Sequence, residues 1–154
     1  LKIAGRGSDE QLAKMRVLIQ RERVEGRVEL VGAVDDERQG ELLRRALLVC
    51  MPSRYEGWGM VAVEAAAAGK AVLATDISGL CDAVRDGETG LLVPAADVAA
   101  LAAGMRSLLA DSQRRRRFGE QGRKWARNFD WNLLAKEQEA IYLRAIGEIE
   151  KAST

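Results

Sequence analysis

The chain contains no histidine. That removes the commonest general base and the commonest metal ligand from any mechanism. Whatever chemistry occurs must run on carboxylates, backbone amides and basic side chains, or on groups supplied by a partner domain. Cysteine is scarce: Cys50 and Cys81 are the two present, and their spacing suits no metal site. They read as a pair of reduced, buried thiols, which suits a reducing compartment. No apolar run is long enough to span a membrane, and the residues given show no secretory-leader pattern. A charge excess is missing too. Lys and Arg number 24 against 23 Asp and Glu, a net charge of +1, so no whole-chain field draws in nucleic acid. The first methionine is Met15, and Leu1 already lies inside a strand-like run, so the sequence reads as a piece of a longer chain.

What is present describes a soluble, globular protein. Hydrophobic residues make up 47% and charged residues 31% of 154 positions, enough for one domain with a real core. Short apolar runs alternate with longer amphipathic ones. Strands are expected at 1–4, 28–31, 47–51, 71–74 and 91–93. Ser8 with Gln11 makes a capping box for a helix with Leu12, Met15, Leu18 and Ile19 on one face. A second helix begins near Glu37 and holds Leu42, Leu43 and Ala46. An alanine-rich helix follows Pro52 and stops at Gly69. A short helical turn is expected over 80–84 and a tight turn over 86–90. From Asp97 the pattern is helical throughout: one helix carrying Val98, Leu101, Met105 and Leu108, a basic one over 112–127, and one from Trp131 to about Lys151. That last helix is expected to turn Leu134, Ile141, Ala145 and Ile149 inward.

This alternation argues for an α/β fold, a Rossmann-like doubly wound parallel sheet covered on both faces. Residues 1–154 read as a single domain, with 97–154 as its helical C-terminal part. Such sheets bind ligands outside the carboxyl ends of their strands. Attention therefore falls on the loop Pro52-Ser53-Arg54-Tyr55-Glu56-Gly57-Trp58-Gly59, which leads from a strand into a helix. Its glycines let backbone approach a ligand. Amides at the helix start, near Gly59 to Val61, favour an anion such as phosphate. Glu56 and Glu64 would repel that anion directly, but they fit as acceptors for hydroxyls on either side of it. A nucleotide-sugar has that layout. The residues Ala65 to Ala68 are expected to pack the helix tightly on the sheet. Simpler duties fit the same carboxylates: Glu56 favouring the helix N-terminus, Glu64 standing on a solvated helix face.

The stretch "PSRYEGWGMVAVEAAAAGKAVLATDISGLCDAVRDGETGLLV" resembles the donor-binding, C-terminal half of retaining GT-B glycosyltransferases, family 4, the glycosyl transferases of group 1. The flanks "LKIAGRGSDEQL", "RVELVGAVDDERQGELLRRALLVCMPS" and "NFDWNLLAKEQEAIY" resemble the same family, so the likeness covers nearly the whole chain. It implies a glycosyltransferase that moves a sugar from a nucleotide-diphosphate sugar to an acceptor with retained configuration and without a metal or other cofactor. It implies that Glu56 is the catalytic carboxylate beside the donor sugar. Gly57, Trp58, Gly59, Met60 and Val61 would line sugar and phosphates, Glu64 would bind the ribose hydroxyls, and Val34 would contact the base through its backbone. Gly5 and Gly7 match a glycine turn near the donor. Trp58 stands where Phe is usual, Lys70-Ala71 where Gly-x-Pro is usual, and Ser78-Gly79 where Gly-Gly is usual.

The family's Arg and Lys that neutralise the pyrophosphate belong to a strand-helix unit before Leu1, and its acceptor domain is N-terminal to that. By the family's strand order the missing strand would lie in the middle of the sheet. This fragment is therefore expected to be inactive alone and to fold incompletely or associate. Cytoplasmic placement is expected, in keeping with the reduced thiols. Two other readings stay open: a non-catalytic nucleotide-binding module of the same fold, and another GT-B enzyme such as a nucleotide-sugar epimerase or a phosphorylase. The run Arg114 to Arg117 reads as a solvated basic face, or as a contact with anionic lipid at the inner face of a membrane. Trp125, Phe129 and Trp131 read as core.

Overall fold

The computed structural model describes residues 1–152, with side-chain placement through residue 147. Twelve strands and helices follow one another: β1 (Lys2–Ala4), α1 (Asp9–Arg21), β2 (Glu29–Gly32), α2 (Asp36–Arg45), β3 (Leu48–Met51), α3 (Met60–Ala67), β4 (Ala71–Thr75), α4 (Ser78–Cys81), β5 (Gly90–Val93), α5 (Val98–Ala110), α6 (Ser112–Ala126) and α7 (Trp131–Ala152). A 3-10 turn, Arg127–Phe129, joins α6 to α7. Every strand pairing is parallel, as strands alternating with helices require. The α/β class, the Rossmann-like alternation and the helical C-terminal extension are those expected. The strands hydrogen-bond in two sets, β1-β2 and β3-β4-β5, and the chain divides into two compact units, Leu1–Arg44 and Arg45–Thr154.

In the first unit, β1 and β2 pair from Lys2 opposite Glu29 to Ala4 opposite Gly32, with an irregularity after Ile3. Lys2 pairs with Glu29 across the strands and lowers that carboxyl's pKa, chiefly through a side-chain hydrogen bond. The Ser8/Gln11 capping box forms in full. Helix α2 starts one residue earlier than expected, because Asp35 caps it by accepting from the Arg38 amide at 2.8 Å. Neither helix has a buried residue. Leu18, expected on an inward face, is exposed.

The second unit holds the core. In β4 every residue is buried, and its neighbours run in register on both sides, Met51 beside Ala74 and Thr75 beside Val93. The carboxyl ends of three strands therefore line up. Ala71, Leu73, Val93, Leu108 and Phe118 form one buried cluster. Asp97 and Asp111 cap α5 and α6, each accepting an amide at 2.8 Å. Arg115 turns back from the basic run and donates to the Leu108 and Leu109 carbonyls at the end of α5. One of the four arginines is therefore structural rather than part of a solvated face. Helix α4 starts two residues ahead of the expected turn, because the amides of Leu80 and Cys81 bond the carbonyl of Ile77, and the turn over 80–84 also closes, with the Val84 amide on the Leu80 carbonyl at 2.9 Å.

Several burial expectations are corrected. Ala62, Ala65 and Ala66 are buried, but Ala67 is exposed. The alanine run also serves a helix contact: a Cβ on Gly122 of α6 would lie 3.2 Å from the Ala66 Cβ, and one on Gly119 only 2.1 Å from the Gly69 carbonyl oxygen. Helix α6 thus crosses α3 through small residues, which the sheet-packing reading left out. Along α7, Leu134 is half-buried while Ile141 and Ala145 are exposed. The fourth residue expected to face inward, Ile149, lies outside the described side chains. Trp131 is 74% exposed and is not core. Cys81 is exposed and Cys50 half-buried, both free thiols, so the pair is not a buried one.

Candidate functional site

In the second unit, Pro52 ends β3 and releases the chain at the carboxyl edge of the sheet, where the 52–59 loop forms. Three contacts hold this loop. At its start, buried Thr75 at the end of β4 donates its hydroxyl to the Ser53 carbonyl at 2.5 Å. At its middle, the main chain of Glu56 and Gly57 rests against Gly79 of α4, and the Gly59 amide donates to the Gly79 carbonyl at 2.9 Å. At its end, the Trp58 ring meets Phe129 edge-on, with centroids 5.0 Å apart. Phe129 meets Trp125 in the same way at 5.2 Å. Trp125 is itself held, its indole N–H donating to the Ala83 carbonyl at 3.1 Å and the Arg85 guanidinium lying 3.7 Å over its ring.

Helix α3 then begins without a side-chain cap on Gly59. The amides expected to be open are mostly taken. Gly59 bonds Gly79, Met60 bonds the Trp58 carbonyl at 2.7 Å, and Ala62 and Val63 bond the Gly59 carbonyl. Of the three amides from Gly59 to Val61, that of Val61 has no partner among the described residues. The anion-binding capacity read from sequence is correspondingly smaller. The cause is that α4 takes the Gly59 amide through the Gly79 carbonyl and the loop takes the Met60 amide through Trp58.

Glu56 is half-buried in the loop, and Glu64 is half-buried on α3. Glu64 opens on a groove of about 520 Å³ shared with Trp58, Met60, Arg123, Arg127 and Trp131. The structure thus brings Trp58, Met60 and Glu64 to one concave surface that Arg123 and Arg127 also line, with the Arg123 guanidinium donating to the Ala68 carbonyl at 3.4 Å. Glu56, Gly57, Gly59 and Val61 are not among its walls; they stand on the loop and at the helix start. In the first unit, Gly5 follows β1 with φ of +147° and its amide bonds the Gly32 carbonyl at 2.9 Å. Gly7 precedes α1, and half-buried Val34 follows β2. Gly5 and Val34 therefore stand at the carboxyl ends of paired strands.

Sequence reasoning did not find Thr75, Gly79 or the Trp58–Phe129–Trp125 stack as supports for the loop. The stack had a visible signal in the closely spaced Trp125, Phe129 and Trp131, but not which of them turns inward. Among the described residues, no group of three or more His, Cys, Asp and Glu is placed to hold a metal ion. No described helix is long and apolar enough to cross a membrane.

The model of the family Glycosyl transferases group 1 matches residues 1–125. A phosphatidyl-myo-inositol mannosyltransferase of Mycobacterium leprae is 38% identical over 146 residues, covering 92% of this chain and 37% of that protein. Sucrose-phosphate synthase from Thermosynechococcus elongatus superposes with a TM-score of 0.87 at 32% identity, covering 96% of this chain and 39% of the other. The Anabaena protein HepE, solved in complex with UDP, superposes at 0.83 with 25% identity over 94% of this chain and 40% of its own. The chain thus spans well under half the length of each of these relatives. The parallel α/β architecture, the glycine-flanked loop after β3 and the match over most of its length make this chain a member of the glycosyl transferases group 1 family, with the fold of a GT-B half-domain.

Proposed function

We propose that this chain is the donor-binding part of a glycosyltransferase that moves a sugar from a nucleotide-diphosphate sugar to an acceptor with retained configuration and without a metal ion. The observation that carries this reading is the seated 52–59 loop. It presents Glu56 at the carboxyl end of β3 and leads directly into the helix that carries Glu64. Parallel sheets bind their ligands at this edge. Glu64, facing a groove with Arg123 and Arg127, accepts from the ribose diol. Glu56 sits at the sugar end, where a fixed negative charge favours developing positive charge at the anomeric carbon. The backbone from Gly57 to Val61 lines the sugar and phosphates between them, and the Gly5–Gly7 turn and Val34 serve the nucleotide. UDP bound to HepE supports a nucleoside diphosphate as the ligand class. The acceptor half of the enzyme belongs to the rest of a longer chain, the fragment is inactive without it, and the enzyme works in the cytoplasm.

The test is calorimetric titration of the full-length protein with UDP, GDP and ADP, free and sugar-linked, repeated with Glu64→Ala. The expected result is preference for one nucleotide, weakened by about tenfold or more in the variant, as for loss of a charge-assisted hydrogen bond. No binding of any of them by the full-length protein overturns the reading. Retention is checked by the anomeric configuration of the product, and metal independence by unchanged turnover in a chelator.

A further inference from the structure

We propose that Gly79 is a positioning residue for Glu56, a role that rests on the donor-site reading above. The argument is one of space. A Cβ on Gly79 would lie 2.2 Å from the Glu56 carbonyl oxygen, 2.8 Å from its carbonyl carbon and 2.9 Å from that of Gly57. No side chain fits at those distances. The backbone of Gly79 lies outside the left-handed region, so conformation does not demand glycine here. Alanine would be the better helix former in α4. Only the approach of the loop requires the bare Cα.

The contact is reciprocal. The Gly79 carbonyl accepts the Gly59 amide at 2.9 Å, and a Cβ on Gly59 would meet Leu80 at 2.9 Å and Ala83 at 3.0 Å. The two glycines interlock around the residue that carries the carboxylate, and Thr75 fixes the loop upstream through Ser53. Glu56 therefore extends from a main chain held on both sides. A shift of the loop by the size of one methyl group would move its carboxylate by an amount that matters to chemistry. Glu64 stands further along α3, which its buried Ala62, Ala65 and Ala66 hold in the core.

The experiment is Gly79→Ala in the full-length protein, with three readouts. Turnover is expected to fall by about a hundredfold, while affinity for the free nucleoside diphosphate stays within about threefold. Hydrogen exchange at the Gly59 amide, protected in the wild type, is expected to speed up by about tenfold or more. Gly147→Ala, where nothing lies within 4 Å of the new methyl, serves as the control and leaves all three unchanged. Unchanged turnover and exchange in Gly79→Ala overturn the inference, as does parallel loss of turnover, nucleotide affinity and melting temperature. If the variant does not fold, the wild type still decides: an unprotected Gly59 amide overturns the seat, and a protected one supports it. A wild type that protects this amide yet neither binds nucleotide nor transfers sugar overturns the donor reading, not the seat.

Discussion

The exposed Cys81 thiol donates to a carboxylate oxygen of Asp76 at 2.9 Å. That hydrogen bond, with smaller contributions from desolvation and from the charges of Asp76 and Asp82, raises its pKa above the ordinary thiol value. Cys50 is raised as well, by burial. The thiolate is the reactive form, so a raised pKa means less of it at neutral pH. Cys81 is therefore expected to alkylate more slowly than an ordinary exposed cysteine near pH 8, with a rate that keeps climbing at higher pH. Asp76→Ala should speed the reaction, and equal rates in the two proteins would refute this account. At Glu56 the expected effect is on chemistry. Glu56→Gln keeps the shape and removes the charge, so turnover of the full-length protein should fall by about a hundredfold with little change in nucleoside diphosphate affinity. Steady-state kinetics beside calorimetry separates the two. Residue type and spacing singled out Glu56 and Glu64 as candidates, and the roles proposed for them come from the family resemblance. Gly79 was visible as a glycine, but what presses against it comes from another part of the chain.

Among the elements, α6 does the most to organise the second unit. Its Phe118 reaches the core under β4, its Gly119 and Gly122 meet α3, and its Trp125 backs the ring that holds Trp58. Gly119→Ala would push a methyl onto the Gly69 carbonyl oxygen and part the two helices. The expected cost is about 1–3 kcal/mol, the usual range for overpacking, read as a lower urea midpoint with an unchanged slope. Asp111→Ala removes the cap of the same helix and should cost about 1 kcal/mol by the same measurement. Asp111 caps the helix start and Gly119 lies about two turns further on with different partners, so the two effects should add. Capping is local, so the Ser8/Gln11 box was open to sequence reading, but the Asp35 and Asp111 caps were passed over. The helix crossing was not, because it depends on which face of α6 meets which turn of α3.

Across the molecule, burial is uneven. The buried hydrophobic residues run from Met51 to Phe118, and none lies in the first unit. Apolar burial is the main stabilising term, so local stability should follow it. Hydrogen exchange on this chain is expected to protect the β4 amides most strongly and those of β1 and β2 least. Uniform protection of all five strands would contradict this. Phe118→Ala, which empties the middle of the core, should cost about 3–5 kcal/mol and lower protection in β4 far more than in β1.

The sequence by itself determined the α/β class, the order and approximate bounds of the strands and helices, the Ser8/Gln11 capping box and the family. All of these are written in neighbouring residues: periodicity, caps, turn residues and a run of motifs in fixed order. The tertiary structure alone decided that α6 meets α3 through glycine and alanine, that Gly79 and Trp58 take the Gly59 and Met60 amides, that Trp131 faces solvent, and that Gly79 seats Glu56. Most of these depend on atoms brought together from distant positions in the chain. At separations near 2 to 3 Å, the absence of a single Cβ sets how close two segments come, and no local pattern in the sequence records that distance.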